Sequence, residues 1–313
     1  MTKRVLIAGG AGFLGRNLTK TLLAEGHTVH CIDNFSTGHK RNVKEFIGTE
    51  NYSLQELDIS EEFSLNGKFE AIYNLACPAS PPAYQLDPLH TLATCYKGSV
   101  NLLELALQND CTILQASTSE IYGDPEISPQ REDYRGNVNP IGIRACYDEG
   151  KRVAETLFFD YHRMFGVKIK VIRIFNTYGP FLDQDDGRVV SNFICQALQG
   201  KDLTIYGSGN QTRSFCYVDD LVQGITSVMN SDNSIMGPVN LGNPNEIEVI
   251  KIAEKIIELT NSSSKIVFRP LPLDDPMQRK PDIAKAKKLL RWEPKIDLET
   301  GLKETISYFR NLV

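Results

Sequence analysis

The sequence has neither the cysteine spacing of a metal or redox motif nor an apolar run long enough to cross a bilayer. Its seven cysteines are an odd number, and no two of them form a CxxC motif. This pattern argues against a disulfide framework and against a metal site, and it favours a reducing compartment. No apolar stretch approaches the ~20 residues of a membrane-spanning helix, and the N-terminus leads directly into a strand pattern. We therefore expect a cytoplasmic protein that has no signal peptide and no membrane partner.

The chain also lacks a strong excess of charge of either sign. Lys and Arg number 34 and Asp and Glu number 39, so the formal net charge is −5. A surface that binds nucleic acid or anionic lipid is usually basic, so we expect neither partner. With 313 residues, 41% of them hydrophobic, the chain can form one large domain or two smaller ones with substantial cores.

The first half of the chain alternates short apolar runs with amphipathic helical patterns. Strands are predicted at 4–8, 28–33, 52–58, 71–76, 111–117 and 168–176, and helices at 13–26 and 90–109. Strands that alternate with helices form βαβ units, whose parallel sheet is buried on both faces. We therefore predict an α/β fold with a Rossmann-like, doubly wound parallel sheet.

The alternation ends after Asn176, where the polar loop TYGPFLDQDDG begins. Helices are predicted at 188–199, 218–229, 246–259 and 298–311, and short strands at LTIYG (203–207) and PVNLG (238–242). These elements predict a smaller C-terminal α/β lobe that binds substrate. We assign 1–176 to a nucleotide-binding domain, to which 214–238 return, and 177–313 mainly to the substrate lobe.

A glycine-rich turn, AGGAGFLG, joins the first strand to the first helix. Gly9 permits the tight turn, Gly12 lets a pyrophosphate approach the backbone, and Gly15 lets the helix pack closely against the strand. Asp33, at the end of the second strand, can accept both ribose hydroxyls of an adenosine and would repel a 2′-phosphate. The pattern therefore predicts NAD, rather than NADP, as the cofactor.

Other residues near the ends of these strands are candidates for the same cofactor. Asp58 ends the third predicted strand, where it either contacts the adenine amino group or caps a helix that begins before SEEF. The predicted cofactor-binding set is completed by Phe13, Leu14, Asn34, Asp58, Ile59, Leu75, Tyr147 and Lys151.

Tyr147 and Lys151 stand four residues apart in RACYDEGKR, on one face of a predicted helix. They are either two polar neighbours on a surface helix or an acid–base pair. The pKa of a free tyrosine is about 10, and a nearby ammonium favours the phenolate. Behind a Rossmann glycine turn, we favour the second interpretation, in which Tyr147 is the base and Lys151 also binds the nicotinamide ribose.

The motifs STSEIYG, YDEGK and RIFNTYGP, in this order, resemble an extended short-chain dehydrogenase/reductase that acts on nucleotide sugars. Three longer stretches, NLACPASPPAYQLDPL (74–89), NPIGIRACYDEGKRVAETL (139–157) and DDPMQRKPDIAKAKKLLRWEP (274–294), resemble the UDP-glucuronate decarboxylases. The resemblance covers essentially the whole chain. It departs at CPAS, where SPAS is common in the family, so we assign Cys77 no catalytic role.

This resemblance implies NAD-dependent decarboxylation of UDP-glucuronate to UDP-xylose and CO₂ through a UDP-4-keto intermediate, with NAD recycled. Oxidation at C4 makes the sugar acid a β-keto acid, which loses CO₂ because the remaining carbanion is delocalised onto the ketone. The family usually dimerises through helices that would be 90–109 and 146–165 here. The main alternative is a UDP-glucuronate 4-epimerase, and a lesser one is a non-catalytic NAD-sensing protein.

The resemblance also implies catalytic roles for Tyr147, Lys151, Thr118, Glu120 and Arg279. Thr118 would hydrogen-bond the C4 oxygen. Nucleotide-sugar 4,6-dehydratases typically have Thr-Asp-Glu where this chain has Thr118-Ser119-Glu120, so the acid for water elimination is missing. Glu120 would steer the carboxylate's departure, hold a water or help to protonate C5. Arg279 matches the family's arginine beside the sugar carboxylate.

The remaining predictions concern the nucleotide and sugar contacts. Arg144 and Arg152 are weaker candidates for the sugar carboxylate. The helix that begins at GRVVSNF could meet the diphosphate with its N-terminal amides. Tyr206 is expected near the uracil, Gln211 near its ribose, and Arg213 at a phosphate. The predicted substrate-binding set comprises Tyr84, Thr118, Asn176, Arg188, Val190, Tyr206, Gln211, Arg213 and Arg279.

Overall fold

A computed structural model describes residues 2–270 and 278–312, so Asp274–Met277 of the last family-like stretch lie outside the described residues. The strands are β1 (Arg4–Ala8), β2 (Thr28–Asp33), β3 (Tyr52–Glu56), β4 (Ala71–Asn74), β5 (Thr112–Thr118), β6 (Lys168–Ile174), β7 (Thr177–Tyr178), β8 (Leu203–Tyr206), β9 (Thr212–Ser214), β10 (Cys216–Tyr217), β11 (Val239–Leu241), β12 (Glu246–Glu248), β13 (Ile266–Arg269) and β14 (Gln278–Arg279). The helices are α1 (Phe13–Ala24), α2 (Pro81–Leu86), α3 (Pro88–Ala93), α4 (Ser99–Asn109), α5 (Ala145–Phe165), α6 (Val189–Leu198), α7 (Val218–Met229), α8 (Val249–Thr260), α9 (Ala284–Leu290) and α10 (Leu298–Arg310).

The main sheet has seven parallel strands in the order β11-β6-β5-β4-β1-β2-β3. Both of its faces are buried, because alternate residues of β1 pack into different cores. Val5 and Ile7 lie in the core beneath α1 and α7, whereas Leu6 and Ala8 lie in the core beneath α4 and α5. The predicted doubly wound, Rossmann-like α/β fold is therefore confirmed.

The strand order changes direction beside β1, which has β2 on one side and β4 on the other. In open α/β sheets, ligands bind in the crevice outside the carboxyl ends of the strands at such a point. The segment that returns to this domain extends beyond residue 238, because β11 pairs with β6 as the seventh strand. The return includes α7 and ends at Leu241.

The C-terminal lobe contains two small sheets, β8–β13 and β12–β9–β14, together with α6, α8 and α10. The predicted helix 246–259 is wrong at its start. Residues 246–248 form β12, which pairs antiparallel with β9, and the helix begins at Val249. Local pattern did not distinguish the two states because a three-residue strand depends on a partner that is remote in sequence.

Two further predictions of local structure need correction. The predicted helix 90–109 begins at Pro88 and is interrupted by a π-helical turn at Thr94–Gly98, which separates α3 from α4. No helix begins at Asp58: its carboxylate accepts hydrogen bonds from the backbone N–H and the hydroxyl of Ser60, and only a turn follows. Within the described ranges, no helix is long and apolar enough to cross a bilayer.

Candidate active site

A cavity of about 600 Å³ extends from the glycine turn after β1 to β9 and β14 of the C-terminal lobe. It opens at the carboxyl ends of the sheet strands, and the C-terminal lobe forms its far wall. The cavity brings together every residue of the predicted catalytic, cofactor-binding and substrate-binding sets: Gly9, Gly12, Phe13, Leu14, Gly15, Asp33, Asn34, Asp58, Ile59, Leu75, Tyr84, Thr118, Glu120, Tyr147, Lys151, Asn176, Arg188, Val190, Tyr206, Gln211, Arg213 and Arg279.

The glycine turn has the shape that a dinucleotide pyrophosphate requires. Gly9 has φ +79°, and a Cβ there would lie 2.8 Å from the backbone nitrogen of Ala76. A Cβ on Gly15 would lie 2.1 Å from the Gly9 oxygen, so the third glycine is needed for packing. A Cβ on Gly12 would meet only that oxygen, at 3.4 Å, and would otherwise face open space. Gly12 is also the N-cap of α1 and makes no side-chain cap, which leaves the first amides of the helix for an anion.

Asp33 lies at the end of β2 and is held by the glycine turn. Its carboxylate accepts hydrogen bonds from the backbone N–H groups of Ala11 and Phe35, both at 2.9 Å. Burial raises the pKa of Asp33, although these backbone hydrogen bonds oppose the shift. The nearby cations point elsewhere, because Lys40 pairs with Glu56 and Arg41 pairs with Asp183. Neither cation lines the cavity, where a 2′-phosphate would need one.

Asp58 closes the other side of the predicted adenosine site. Its second carboxylate oxygen accepts a hydrogen bond from Asn34 Nδ2 at 2.8 Å and lies 3.4 Å from His90 Nε2. Burial opposes ionisation most strongly, but the hydrogen bonds from Ser60 and Asn34 outweigh it and lower the pKa of Asp58. The carboxylate can therefore accept a further hydrogen bond from a ligand in the cavity.

Tyr147 and Lys151 lie on the buried face of α5, next to the end of β5. The Tyr147 ring stacks on Tyr84, with centroids 5.1 Å apart and planes within 5°. Lys151 Nζ donates a hydrogen bond to the Ala116 carbonyl at 2.9 Å and lies 5.8 Å from the centre of the Tyr147 ring. Both side chains line the cavity, as their spacing predicts.

The electrostatics of Tyr147 differ from the sequence-based expectation. Burial, and after it the neighbouring Cys77, raise the pKa of Tyr147 well above its usual value, while a hydrogen bond with Thr118 acts in the opposite direction. Lys151 does not dominate, because its ammonium is bound to a carbonyl rather than directed at the phenol oxygen. The positive charge of a nicotinamide would favour the phenolate at this position.

Thr118 and Glu120 stand where β5 turns into the short 3₁₀ helix Ser119–Tyr122. The Thr118 hydroxyl caps that helix by accepting a hydrogen bond from the Glu120 N–H at 3.2 Å. The Glu120 carboxylate pairs with two guanidiniums, those of Arg144 and Arg279, the second at 2.6 Å. Burial disfavours the charged form, but these two cations outweigh it and lower the pKa of Glu120.

Arg279 is fixed by more than its ion pair. Its second amino group donates to the carbonyls of Ser119 and Gly123 at 3.0 and 3.1 Å, and the side chain is buried. Arg279 therefore holds the turn that carries Glu120, a role that the spacing QRKPD did not indicate. Arg213 lies beside it, because β14 pairs with β9 in the register Arg279–Arg213.

The two weaker arginine candidates for the sugar carboxylate lie in different places. Arg144 precedes α5, lines the cavity and reaches Glu120. Arg152 faces away from the cavity, where it donates to the carbonyls of Ile121 and Arg135 at 3.2 and 2.6 Å. The position of Arg144, three residues before Tyr147, is the signal that could have selected it, because residues three apart share a helix face.

The C-terminal lobe forms the end of the cavity where the sequence predicts the uridine nucleotide. Gln211 donates to the Tyr206 carbonyl at 2.6 Å, and Tyr206 is half exposed. Arg188 is the N-cap residue of α6 and pairs with Asp186, so its guanidinium neutralises a neighbouring carboxylate. The sequence predictions missed several further lining residues: Cys77, Ser119, Asn192 and Phe215.

A Rossmann-type sheet, a glycine turn with an acidic partner, and a Tyr-x-x-x-Lys pair in one cavity define a short-chain dehydrogenase/reductase of the extended type. The chain belongs to the NAD dependent epimerase/dehydratase family, whose model matches residues 5–242.

Within this family, the chain is similar to curated UDP-glucuronic acid decarboxylases. It is 54% identical over 308 residues to UDP-glucuronic acid decarboxylase 1 of Xenopus tropicalis, covering 98% of this chain and 72% of that protein. It is 52% identical over 300 residues to UDP-glucuronic acid decarboxylase 5 of Arabidopsis thaliana, covering 96% of this chain and 87% of that protein.

The structure is also similar to solved epimerases, at lower identity. The UDP-glucuronic acid 4-epimerase of Bacillus cereus, in complex with UDP-glucuronic acid and NAD, superposes with a TM-score of 0.87 at 27% identity, over 99% of this chain and all of that one. The UDP-glucose 4-epimerase of Thermotoga maritima gives a TM-score of 0.89 at 30% identity, over 99% of both chains.

Proposed function

We propose that this protein decarboxylates UDP-glucuronate to UDP-xylose and CO₂ through a UDP-4-keto intermediate, with bound NAD recycled. The observation that carries the proposal is the turn Thr118-Ser119-Glu120, clamped by Arg144 and Arg279 beside Tyr147. It supplies a carboxylate and two cations but no acid at position 119 for the elimination of water. The similarity to curated decarboxylases, at 52–54% identity over nearly the whole chain, supports the same function.

The charges of the clamp suit an acidic sugar. Arg144 and Arg279 contribute two positive charges and Glu120 one negative charge, so the three side chains together are positive. A substrate carboxylate can approach this cluster without net repulsion. The cluster therefore supplies the cation that places a glucuronate in the cavity near Glu120.

The remaining steps follow from the same side chains. Tyr147 removes the C4 hydroxyl proton, and Thr118 donates a hydrogen bond to the C4 oxygen as charge develops. Lys151 binds the nicotinamide ribose, and the positive charge of the nicotinamide would favour the phenolate of Tyr147. NAD, held by the glycine turn and Asp33, would supply the redox chemistry at C4, as the acceptor and later the donor of a hydride. After CO₂ leaves, C5 takes a proton that comes from solvent through the pocket around Glu120 and Arg279.

The reaction can be tested by running it to completion in D₂O. If CO₂ leaves from a 4-keto sugar, C5 must collect a proton before C4 is reduced, and no substrate hydrogen is reserved for it. We expect UDP-xylose with one deuterium on one face of C5 and none at C4, measured by proton NMR and mass spectrometry. A 4-epimerase breaks no bond at C5, so a six-carbon product without deuterium there would contradict the proposal.

We also propose that the cofactor is NAD rather than NADP. The geometry of Asp33, and the engagement of Lys40 and Arg41 with other carboxylates, support this choice. Denaturing the purified protein and identifying the released nucleotide by mass spectrometry tests it. Recovery of mainly NADP would contradict the role given to Asp33.

We propose further that the protein is a cytoplasmic homodimer. Neighbouring helical segments expose several apolar residues. They are Leu89 and Leu92 of α3, Tyr96 of the π turn and Val153 of α5. A symmetric pair of such faces buries them between two copies. The seven reduced cysteines are consistent with the cytoplasm, and fractionation of cells tests that location.

The oligomeric state can be measured by light scattering after size exclusion. Leu92→Glu should shift the mass from dimer to monomer, because it places a charge in the proposed interface. Phe268→Glu is the matched control, since Phe268 is also apolar and exposed but lies on β13 of the other lobe. A wild-type monomer, or an equal effect of both changes, would contradict the interface.

A further inference from the structure

Two cysteines meet beside the catalytic pair. The sulfurs of Cys77 and Cys95 lie 3.5 Å apart and are in hydrogen-bond contact. Cys77 follows β4 and lines the cavity, where it is partly exposed. Cys95 lies in the π turn between α3 and α4 and is buried. The pair is therefore reachable from the cavity through one of its members.

The two thiols differ from each other in acidity. A hydrogen bond shared with Cys95, together with the ammonium of Lys151, lowers the pKa of Cys77, although burial opposes the shift. The pKa of Cys95 is raised by the same hydrogen bond and by burial. A thiolate is the form that attacks oxidants, so Cys77 is the attacking thiol and Cys95 the resolving one.

The other five cysteines do not have these properties. Burial raises the pKa of each of them, as it does for Cys31 and Cys111, both to about 12. None of the five has another cysteine sulfur within hydrogen-bond distance among the described residues. The complete set of these buried thiols is Cys31, Cys111, Cys146, Cys195 and Cys216.

We propose that Cys77 and Cys95 form a reversible oxidation site, at which a peroxide converts the two thiols to a disulfide and thereby stops turnover at Tyr147 and Lys151. The inference rests on the proposed function only for its activity readout.

The chemistry balances with one peroxide molecule. The Cys77 thiolate attacks one peroxide oxygen, the O–O bond breaks, and a sulfenic acid and hydroxide form. The Cys95 sulfur then attacks the Cys77 sulfur, the S–O bond breaks, and water leaves with the proton of Cys95. In total, two thiols lose two electrons and two protons, and one hydrogen peroxide becomes two waters. A dithiol reductant reverses the change by thiol–disulfide exchange.

The position of Cys95 links this step to catalysis. A Cβ on Gly150 would lie 3.0 Å from the Cys95 sulfur, so Cys95 packs directly against α5 between Tyr147 and Lys151. A disulfide bond requires the sulfurs to approach to ~2 Å, which draws the π turn and the loop after β4 together. The contact with Gly150 is then lost or displaced, and the catalytic pair moves relative to the cavity.

The test exposes the protein with its bound cofactor to graded hydrogen peroxide and follows two quantities. The first is the fraction of Cys77–Cys95 linked peptide after digestion without reductant, measured by mass spectrometry. The second is turnover of UDP-glucuronate, normalised to each variant's own untreated rate. We expect the fraction of linked peptide to rise as turnover falls, and turnover to fall at least ~10-fold in total. Dithiothreitol should reverse both changes.

Three variants separate the pair from general oxidation. Cys77→Ser should form no linked peptide and should keep its own rate in peroxide. Cys95→Ala should lose turnover in a way that dithiothreitol no longer reverses at high peroxide, because Cys77 then oxidises further. Cys195→Ala, which removes a buried thiol elsewhere, should behave like wild type.

Two results would overturn the proposal: loss of turnover without the linked peptide, or linked peptide without loss of turnover. Equal inactivation of Cys77→Ser and wild type would overturn it as well. The linked peptide can be measured without any turnover. If the untreated protein did not turn over UDP-glucuronate, that result would count against the proposed function. The linked-peptide measurement would still test the pairing of the two sulfurs.

Discussion

At the scale of single residues, Tyr147 is the side chain on which proton transfer depends. Its ring is held by stacking on Tyr84, and its hydroxyl group lies in a buried site where Thr118 favours the ionised form. This packing fixes the direction of the phenol oxygen before any substrate binds. A preorganised base of this kind loses its function when the oxygen alone is removed.

Tyr147→Phe should therefore lower turnover of UDP-glucuronate by at least ~100-fold, the lower range for the loss of a general acid–base group. The ring and its stacking remain, so the fold should be unchanged. Tyr161→Phe is a matched control, because it makes the same change on the same helix, where the hydroxyl donates to Glu104. Steady-state kinetics measure both, and near-wild-type turnover of Tyr147→Phe would refute the assignment.

Arg279 is a second residue whose contribution can be isolated. Arg279→Ala removes one of the two cations at Glu120, so the cluster no longer carries the positive charge that attracts a sugar carboxylate. We expect the affinity for UDP-glucuronate to fall more than that for UDP-xylose, since only the first has the carboxylate. Calorimetric titration of the two ligands measures the difference.

The neighbouring Lys280 provides the control for this experiment. It pairs with Glu246 at 3.0 Å and does not line the cavity, so Lys280→Ala should leave both affinities nearly unchanged. If Arg279→Ala weakens both ligands equally, the prediction is wrong, and Arg279 acts either on the shared diphosphate or through the turn that it holds.

At the scale of elements, two glycines in the connection from β1 to α1 have different roles. A Cβ on Gly15 would clash with the Gly9 oxygen at 2.1 Å, which forces helix and strand apart. A Cβ on Gly12 meets no atom closer than 3.4 Å and projects into the space where the pyrophosphate would lie. One glycine is thus required by the fold and the other by the ligand.

The two alanine variants should therefore behave differently. Gly15→Ala should lower the melting temperature of the protein clearly and reduce the soluble yield. Gly12→Ala should melt close to wild type in the absence of nucleotide, yet retain much less NAD through purification. Thermal denaturation and quantification of bound nucleotide check both, and a similar loss of stability in the two variants would refute the distinction.

At the scale of the whole molecule, the stability of the fold depends on a buried acid beside the active site. Burial and the neighbouring Glu120 raise the pKa of Asp148 to about 7, and Glu149 adds to the increase. The guanidiniums of Arg144 and Arg279 oppose it. One of its carboxylate oxygens is buried and has no hydrogen-bond partner among the residues that the structure describes. The folded state therefore binds this proton more tightly than the unfolded state does.

Because the folded pKa lies above the unfolded value, Asp148 costs stability increasingly as the pH rises from about 4 to about 7. Asp148→Asn removes this cost. As the pH rises from 5 to 8, we expect the variant to gain about 3 kcal/mol of unfolding free energy relative to wild type, because two pKa units contribute about 1.4 kcal/mol each. Urea denaturation across this range measures the gain, and parallel stability curves would contradict the raised pKa.

The sequence alone determined the features that depend on short separations along the chain. The strand–glycine turn–helix unit and Asp33 could be predicted because each of their signals lies within one βαβ unit. The placement of Tyr147 and Lys151 in one cavity could be predicted because a four-residue spacing on a helix fixes a shared face. The alternation of strands and helices likewise determined the parallel sheet, since such strands are buried on both faces.

Tertiary structure decided the features that depend on distant partners. The short strands β9, β12 and β14 exist through pairing with one another, and their local patterns were too short to indicate a sheet. The direction of Arg144 toward Glu120, and of Arg152 away from it, was set by the packing of α5 against the 3₁₀ turn. The approach of Cys77 to Cys95 results from the packing of the π turn on α5. Spacing in the sequence does not indicate such a contact, because the two residues lie on different structural elements.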